Sequence, residues 1–149
     1  MKYSEASMGR VFVIRLEQGE VLHTAIEDFA REKSVNAAAV ISLGAADRGT
    51  RLVTGPEEGD VLKPGMPLLS NVLDAVHESS GVGTLFPNGE GEPVLHLHIA
   101  CGRDRSATLG CARNGVVVWQ YMEVIVLEIV GTDARRLLDK TTGFTLLNP

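Results

Sequence analysis

The sequence predicts an α+β domain with a largely antiparallel sheet, one main amphipathic helix and a short second helix. Three features point there. Short runs rich in Val, Ile and Leu recur along the chain between turns that carry Gly or Pro. Residues 20–34 alone space their apolar side chains for a long helix. Residues 116–130 are too β-branched to be anything but strand. At 149 residues, with no internal repeat, the chain has the size of a single domain, 1–149.

The elements follow in order. Residues 10–16 (Arg-Val-Phe-Val-Ile-Arg-Leu) make a first strand that breaks at Gly19. In residues 20–34, Leu22, Ala25, Ile26, Phe29 and Ala30 share one helix face, with Glu27 and Asp28 opposite and His23 turned to solvent. Asn36 suits the end of that helix. Residues 37–43 form a short apolar strand of the kind buried on both faces, and residues 50–54 are its hairpin partner. Residues 55–67, with Pro56, Pro64, Pro67 and the acids Glu57, Glu58 and Asp60, have the composition of a solvated, mobile loop.

Residues 68–78 return to strand character and deliver His77 near their end. The glycine-rich stretch 79–92 is expected to be a structured loop anchored by Leu85 and Phe86. A strand over residues 93–101, a turn at 102–105 and a short strand at 107–109 come next. Residues 116–130 make one bent strand or two. Asp133 caps a short helix through Leu138, and residues 141–147 close the chain as an extended segment.

The run Pro-Val-Leu-His-Leu-His-Ile-Ala over residues 93–100 carries the chemistry. Side chains alternate across a strand, so His96 and His98 leave the same face while Leu95, Leu97 and Ile99 leave the other. Two residues of strand span roughly 6.5–7 Å, from which two imidazoles converge on one ion about 2.0–2.1 Å from each nitrogen. His77, before the glycine-rich stretch, completes a candidate three-histidine metal site. Three neutral imidazoles favour a divalent metal, Zn²⁺ first, with Ni²⁺, Co²⁺ or Fe²⁺ also suited. Three protein ligands leave a fourth position for water or a small polar or anionic ligand. Glu123 interrupts an apolar strand and is read as a partner of a ligating histidine, as a base toward bound water, or as half of an interface salt bridge. Gly83, Thr84 and Phe86 are expected to line the pocket, with Phe86 and Pro87 serving as a lid or as a core plug.

Composition removes several classes. A formal charge of −5 and a pI near 5.3 give no general attraction to phosphate backbones. No apolar run reaches the roughly 18 residues of a membrane span, and the first residues lack a signal peptide. Cys101 and Cys111 form no Cys-x-x-Cys, which fits reduced thiols in a cytoplasmic protein. There is no Gly-x-Ser-x-Gly elbow and no phosphate loop.

Gly-Arg-Val-Phe-Val-Ile-Arg-Leu from Gly9, Ala-x-Val-Ile-Ser-Leu-Gly-Ala before Ala46, and His-Glu-x-x-Ser-Gly-x-Gly-Thr-Leu-Phe from His77 stand in a fixed order. With the histidine strand, the Glu123-Val-Ile-Val run and Thr142-Gly-Phe-Thr-Leu-Leu, they resemble the PPC domain (plants and prokaryotes conserved, also called DUF296) over almost the full length. The resemblance implies a two-layer, sandwich-like domain with a central mixed sheet that assembles as a homotrimer. It also implies that His77, His96 and His98 match the residues of metal-containing prokaryotic members. Where the family often has Gly-Gly-His, this chain has Gly110-Cys111-Ala112, so that histidine's part is lost or altered. Three readings follow: a metal-binding homotrimer with no assigned reaction, a DNA-binding or transcription-associated protein as the family label suggests, or a trimerisation and protein-interaction module. The negative charge and the absence of a basic tail or Arg-Gly-Arg-Pro core disfavour DNA.

Overall fold

Burial with a period of two runs through the central strands, and it sorts the sheet into a packed face and an open face. The computed structural model describes residues 1–56, 64–113 and 115–149. In chain order the elements are β1 (Ser7–Glu17), α1 (Leu22–Lys33), β2 (Ala38–Ala46), β3 (Arg51–Pro56), β4 (Leu68–Val72), β5 (His77–Pro87), β6 (Pro93–Arg103), β7 (Ser106–Cys111), β8 (Val118–Val130), β9 (Arg135–Leu138) and β10 (Thr145–Asn148). Eight strands form one sheet in the order β1-β8-β2-β5-β6-β7-β3-β4, and β9 pairs with β10 in a separate hairpin.

The α+β prediction holds. Every ladder among the described residues is antiparallel, and the parallel contact is an isolated bridge between Asn88 and Arg136. The expected mixed character is therefore confined to that bridge.

The core joins the apolar stripe of α1 (Leu22, Ile26, Ala30) to the packed face of the sheet, where Val40, Leu85, Leu97, Ile99, Met122 and Val124 are buried. Ser34, rather than Asn36, ends the helix in the left-handed conformation, with the Val35 N–H donating to Ala30 O at 2.9 Å. β8 is a single strand with the expected bend. Its register on β2 shifts between Gly44 and Ala45, where Gln120 takes a φ of 59°. A Cβ on Gly44 would come within 2.7 Å of Met122 Cα, so the strands meet there only because the side chain is missing.

Several expectations are corrected. Residues 37–43 are buried on one face only, since Ile41 and Leu43 are exposed. Residues 50–54 do not pair with β2, whose two edges are taken by β5 and β8; β3 pairs with β4 and β7 instead. Residues 79–92 are mostly strand β5. Gly81 and Gly83 serve close packing rather than turning, because a Cβ on Gly83 would sit 2.6 Å from His96 O. Residues 133–138 make no second helix: they hold strand β9, which pairs with β10. Four residues are too few for a self-supporting helix, whereas pairing satisfies their backbone groups. Most of the expected loop, residues 57–63, lies outside the described residues.

On the open face, register aligns one row across six strands: Val13, Ile125, Ile41, Val82, His98 and Cys111. Val13 is 81% exposed and Val82 66%, so this apolar row is uncovered in one chain.

Candidate metal centre

Strand β6 positions the histidines as alternation requires. Leu95, Leu97 and Ile99 are buried while His96 and His98 stand on the open face, their ring centroids 5.0 Å apart and nearly perpendicular. The third member of the cluster comes from β7. Cys111 lies directly opposite His98, and one donor atom from each of His96, His98 and Cys111 falls within 4.8 Å of the others. Donors around a tetrahedral Zn²⁺ lie roughly 3.3–3.8 Å apart, given Zn–N near 2.0–2.1 Å and Zn–S near 2.3 Å. Small rotamer adjustments of two imidazoles close that difference. Two imidazoles and a thiolate are a donor set that suits zinc and its neighbours, so these residues fit a divalent metal.

His77 is not brought to this cluster. It opens β5 five residues before Val82, the residue opposite His98, which puts it about 17 Å along the strand. It also has the other parity, so it faces away from His96 and His98, and its Nδ1 donates to the Ala75 carbonyl at 2.9 Å. Cys111 takes the place expected of His77. The hairpin itself could have revealed it: with Arg103 opposite Ser106 across a two-residue turn, counting back places His98 opposite Cys111.

The other expected residues are also relocated. Glu123 is exposed on β8, across from Arg15 on one side and Leu43 on the other. Three strand spacings, about 14 Å, separate its strand from β6, so it is neither a ligand's partner nor a base in this centre. Gly83 faces the core. Thr84 lies opposite His96, where its hydroxyl accepts from Arg136 Nη2 at 2.7 Å. Phe86 is a core plug, packed with Ala37, Ala134 and Ile129.

Helix α1 holds the strand from its unpaired side. β6 meets β7 only from His98 onward, so the backbone of Leu95 needs other partners. Glu27 Oε1 accepts from the Leu95 N–H at 2.9 Å, and His23 Nε2 donates to the Leu95 carbonyl at 3.2 Å. These side chains are four residues apart, one helical turn, and they grip the residue before His96. His23 is thus buried rather than solvent-facing, at 4% exposure.

Electrostatics around the cluster are positive. Desolvation lowers the pKa of His96, and the charges of Arg136, His98 and Arg113 lower it further, which favours the neutral ring a metal requires. A groove of about 350 Å³ lined by His96, His98, Cys111, Arg113, Leu68 and Phe144 opens over the cluster. Cys101 lies on the core face, where burial pushes its thiol up to about 11, and both cysteines are free.

Fold and site together define a small antiparallel α+β domain with a His/His/Cys cluster on the open face of its sheet. The family model of the Plants and Prokaryotes Conserved (PCC) domain matches residues 3–130, and the chain belongs to that family. Among solved structures it is similar to a metal-containing protein of Archaeoglobus fulgidus, at 27% identity and TM-score 0.84, covering 100% of both chains. It is also similar to a plant- and prokaryote-conserved protein of Pyrococcus horikoshii, at 22% identity and TM-score 0.83, covering 100% of this chain and 98% of that one. A candidate DNA-binding protein of Bacteroides thetaiotaomicron shares 18% identity at TM-score 0.76 over 96% of each chain. No curated protein matches the sequence.

Proposed function

We propose that this protein is a metal-binding homotrimer whose centre uses His96, His98 and Cys111, with Zn²⁺ as the first-choice metal and one coordination position left open. The observation that carries the reading is the convergence of three donors of the right chemistry, two exposed imidazoles and the buried Cys111 thiol beneath the groove. The Archaeoglobus relative, described as metal-containing, adds support. A bound Zn²⁺ would supply Lewis acidity and lower the pKa of a water in the open position. The chain's own contribution is to orient. Register fixes Cys111 against His98, and α1 anchors the strand beside His96.

The trimer reading draws on the family resemblance and on the row from Val13 to Val82, whose apolar side chains a second copy would remove from water. No described helix is long and apolar enough to cross a membrane. Two free cysteines accord with a cytoplasmic location. DNA association, the description of some relatives, is weakened here by the charge of −5. Chelation tests the reading. Tag-free protein treated with a strong chelator should melt at a lower temperature and regain its melting point on one equivalent of Zn²⁺. An unchanged melting point in both steps contradicts it.

A further inference from the structure

Arg136 is a buried cation with no carboxylate beside it. It is 5% exposed, and its partners are neutral: Thr84 Oγ1 at 2.7 Å, Thr84 O at 3.2 Å and Val94 O at 3.4 Å. Among the described residues no carboxylate pairs with it. Buried charges are normally paired, because leaving water is costly without compensation. Arg136 lines a second groove of about 550 Å³ that shares Leu68, His96, Cys111, Arg113 and Phe144 with the groove over the histidines. Arg136 comes from β9, beyond the residues 3–130 that the family model matches.

A divalent metal on two neutral imidazoles and one thiolate carries one net positive charge, and two neighbouring guanidiniums raise the total to three. An anion is the group that relieves this, and a guanidinium fork matches a carboxylate with two parallel hydrogen bonds. The walls beyond the charged end are apolar: Leu68, Val94, Phe144 and Leu146.

We propose that Arg136 and Arg113 form an anion subsite for a carboxylic acid with an apolar body, one carboxylate oxygen reaching the metal's open position. The proposal rests on the metal-centre reading for that last contact, while the arginine subsite stands without it. Calorimetric titration of Zn²⁺-loaded protein at constant ionic strength tests it, with hexanoate, acetate and inorganic phosphate as probes. Hexanoate should bind at least tenfold more tightly than acetate or phosphate. Arg136→Gln should weaken hexanoate at least tenfold while metal content stays at the wild-type level. Arg136 also ties β9 to β5 and β6, so Arg113→Gln, at an exposed turn position, provides a second variant that should lose at least threefold. Unchanged hexanoate affinity in both variants, or phosphate binding above hexanoate, overturns the proposal. Metal content on the same samples separates the two ideas. Wild-type protein without metal that still binds hexanoate through Arg136 keeps the subsite and removes the metal centre; stoichiometric metal without hexanoate binding does the reverse.

Discussion

His98 stands directly across from Cys111 on the β6–β7 ladder, and this pairing turns two histidines of one strand into a three-donor cluster. Directly opposed residues of an antiparallel pair hold their Cβ atoms about 4.5–5.5 Å apart, within reach of one ion.

The grip of α1 on Leu95 is testable by removing one finger. Glu27→Ala leaves the Leu95 N–H without its partner at a half-buried site, a loss of about 1–3 kcal/mol. For a chain of this size, that lowers Tm by roughly 2–4 °C per kcal/mol. Zn²⁺ affinity should fall with it because His96 follows Leu95. Calorimetric melting with and without one equivalent of Zn²⁺ reads both effects. Equal melting points for variant and wild type would show that the helix does not hold the strand.

Acid should weaken the fold in two separate windows. Burial, only partly offset by the bond to Leu95 O, lowers the His23 pKa to about 4, with Arg113 and His96 adding smaller repulsions. The unfolded chain therefore takes up a proton on His23 from pH 6.5 downward, while the folded chain resists until about 4. Stability is full above 6.5 and falls between 6.5 and 4, by on the order of 3 kcal/mol. Glu128 is held near 2 by hydrogen bonds from the Arg10 side chain and backbone, so its contribution is present above 4.5 and is lost as pH falls from 4.5 toward 2. Denaturant unfolding across pH should show both steps. His23→Leu should flatten the upper step and Glu128→Gln the lower; persistence of a step in its own variant would assign it elsewhere.

Val82 sits in the middle of the exposed apolar row, beside His98. Val82→Glu places a charge there. In a lone chain it costs little, because the site is already in water. In a trimer it buries an unpaired charge. Sedimentation at micromolar concentration should give a trimer for wild type and a monomer for the variant, with both folded by circular dichroism. A wild-type monomer, or a variant that stays trimeric, rejects this face as the interface.

The sequence revealed most where period and side-chain chemistry agree. His96 and His98 share a face as alternation dictates, α1 follows its apolar stripe, and β8 bends where a β-branched run of its length must. It misled where tertiary contact overrides local composition. The glycines of β5 resemble turn residues, yet a Cβ on Gly81 would crowd Ser42 of β2 and one on Gly83 would crowd His96 and Leu97 of β6. The Asp133–Leu138 stretch resembles a capped helix. There Asp139 instead accepts from the Thr141 and Thr142 N–H groups in the β9–β10 turn, and Arg136 alone of β9 is buried. His77 joins the pair only through its place before a glycine-rich segment and through the family resemblance, and neither cue carries register. Cys111 was within reach of hairpin counting from the turn at 104–105, where Asp104 takes a φ of 55°.

His96, His98 and Cys111, and not His77, are the proposed donors to the metal. Elemental analysis of tag-free protein tests this assignment most directly, comparing wild type with Cys111→Ala, His98→Ala and His77→Ala purified side by side in Zn²⁺-supplemented buffer. Wild type and His77→Ala should carry close to one metal per chain, and Cys111→Ala and His98→Ala should lose at least tenfold. Full metal in Cys111→Ala together with loss in His77→Ala would contradict it.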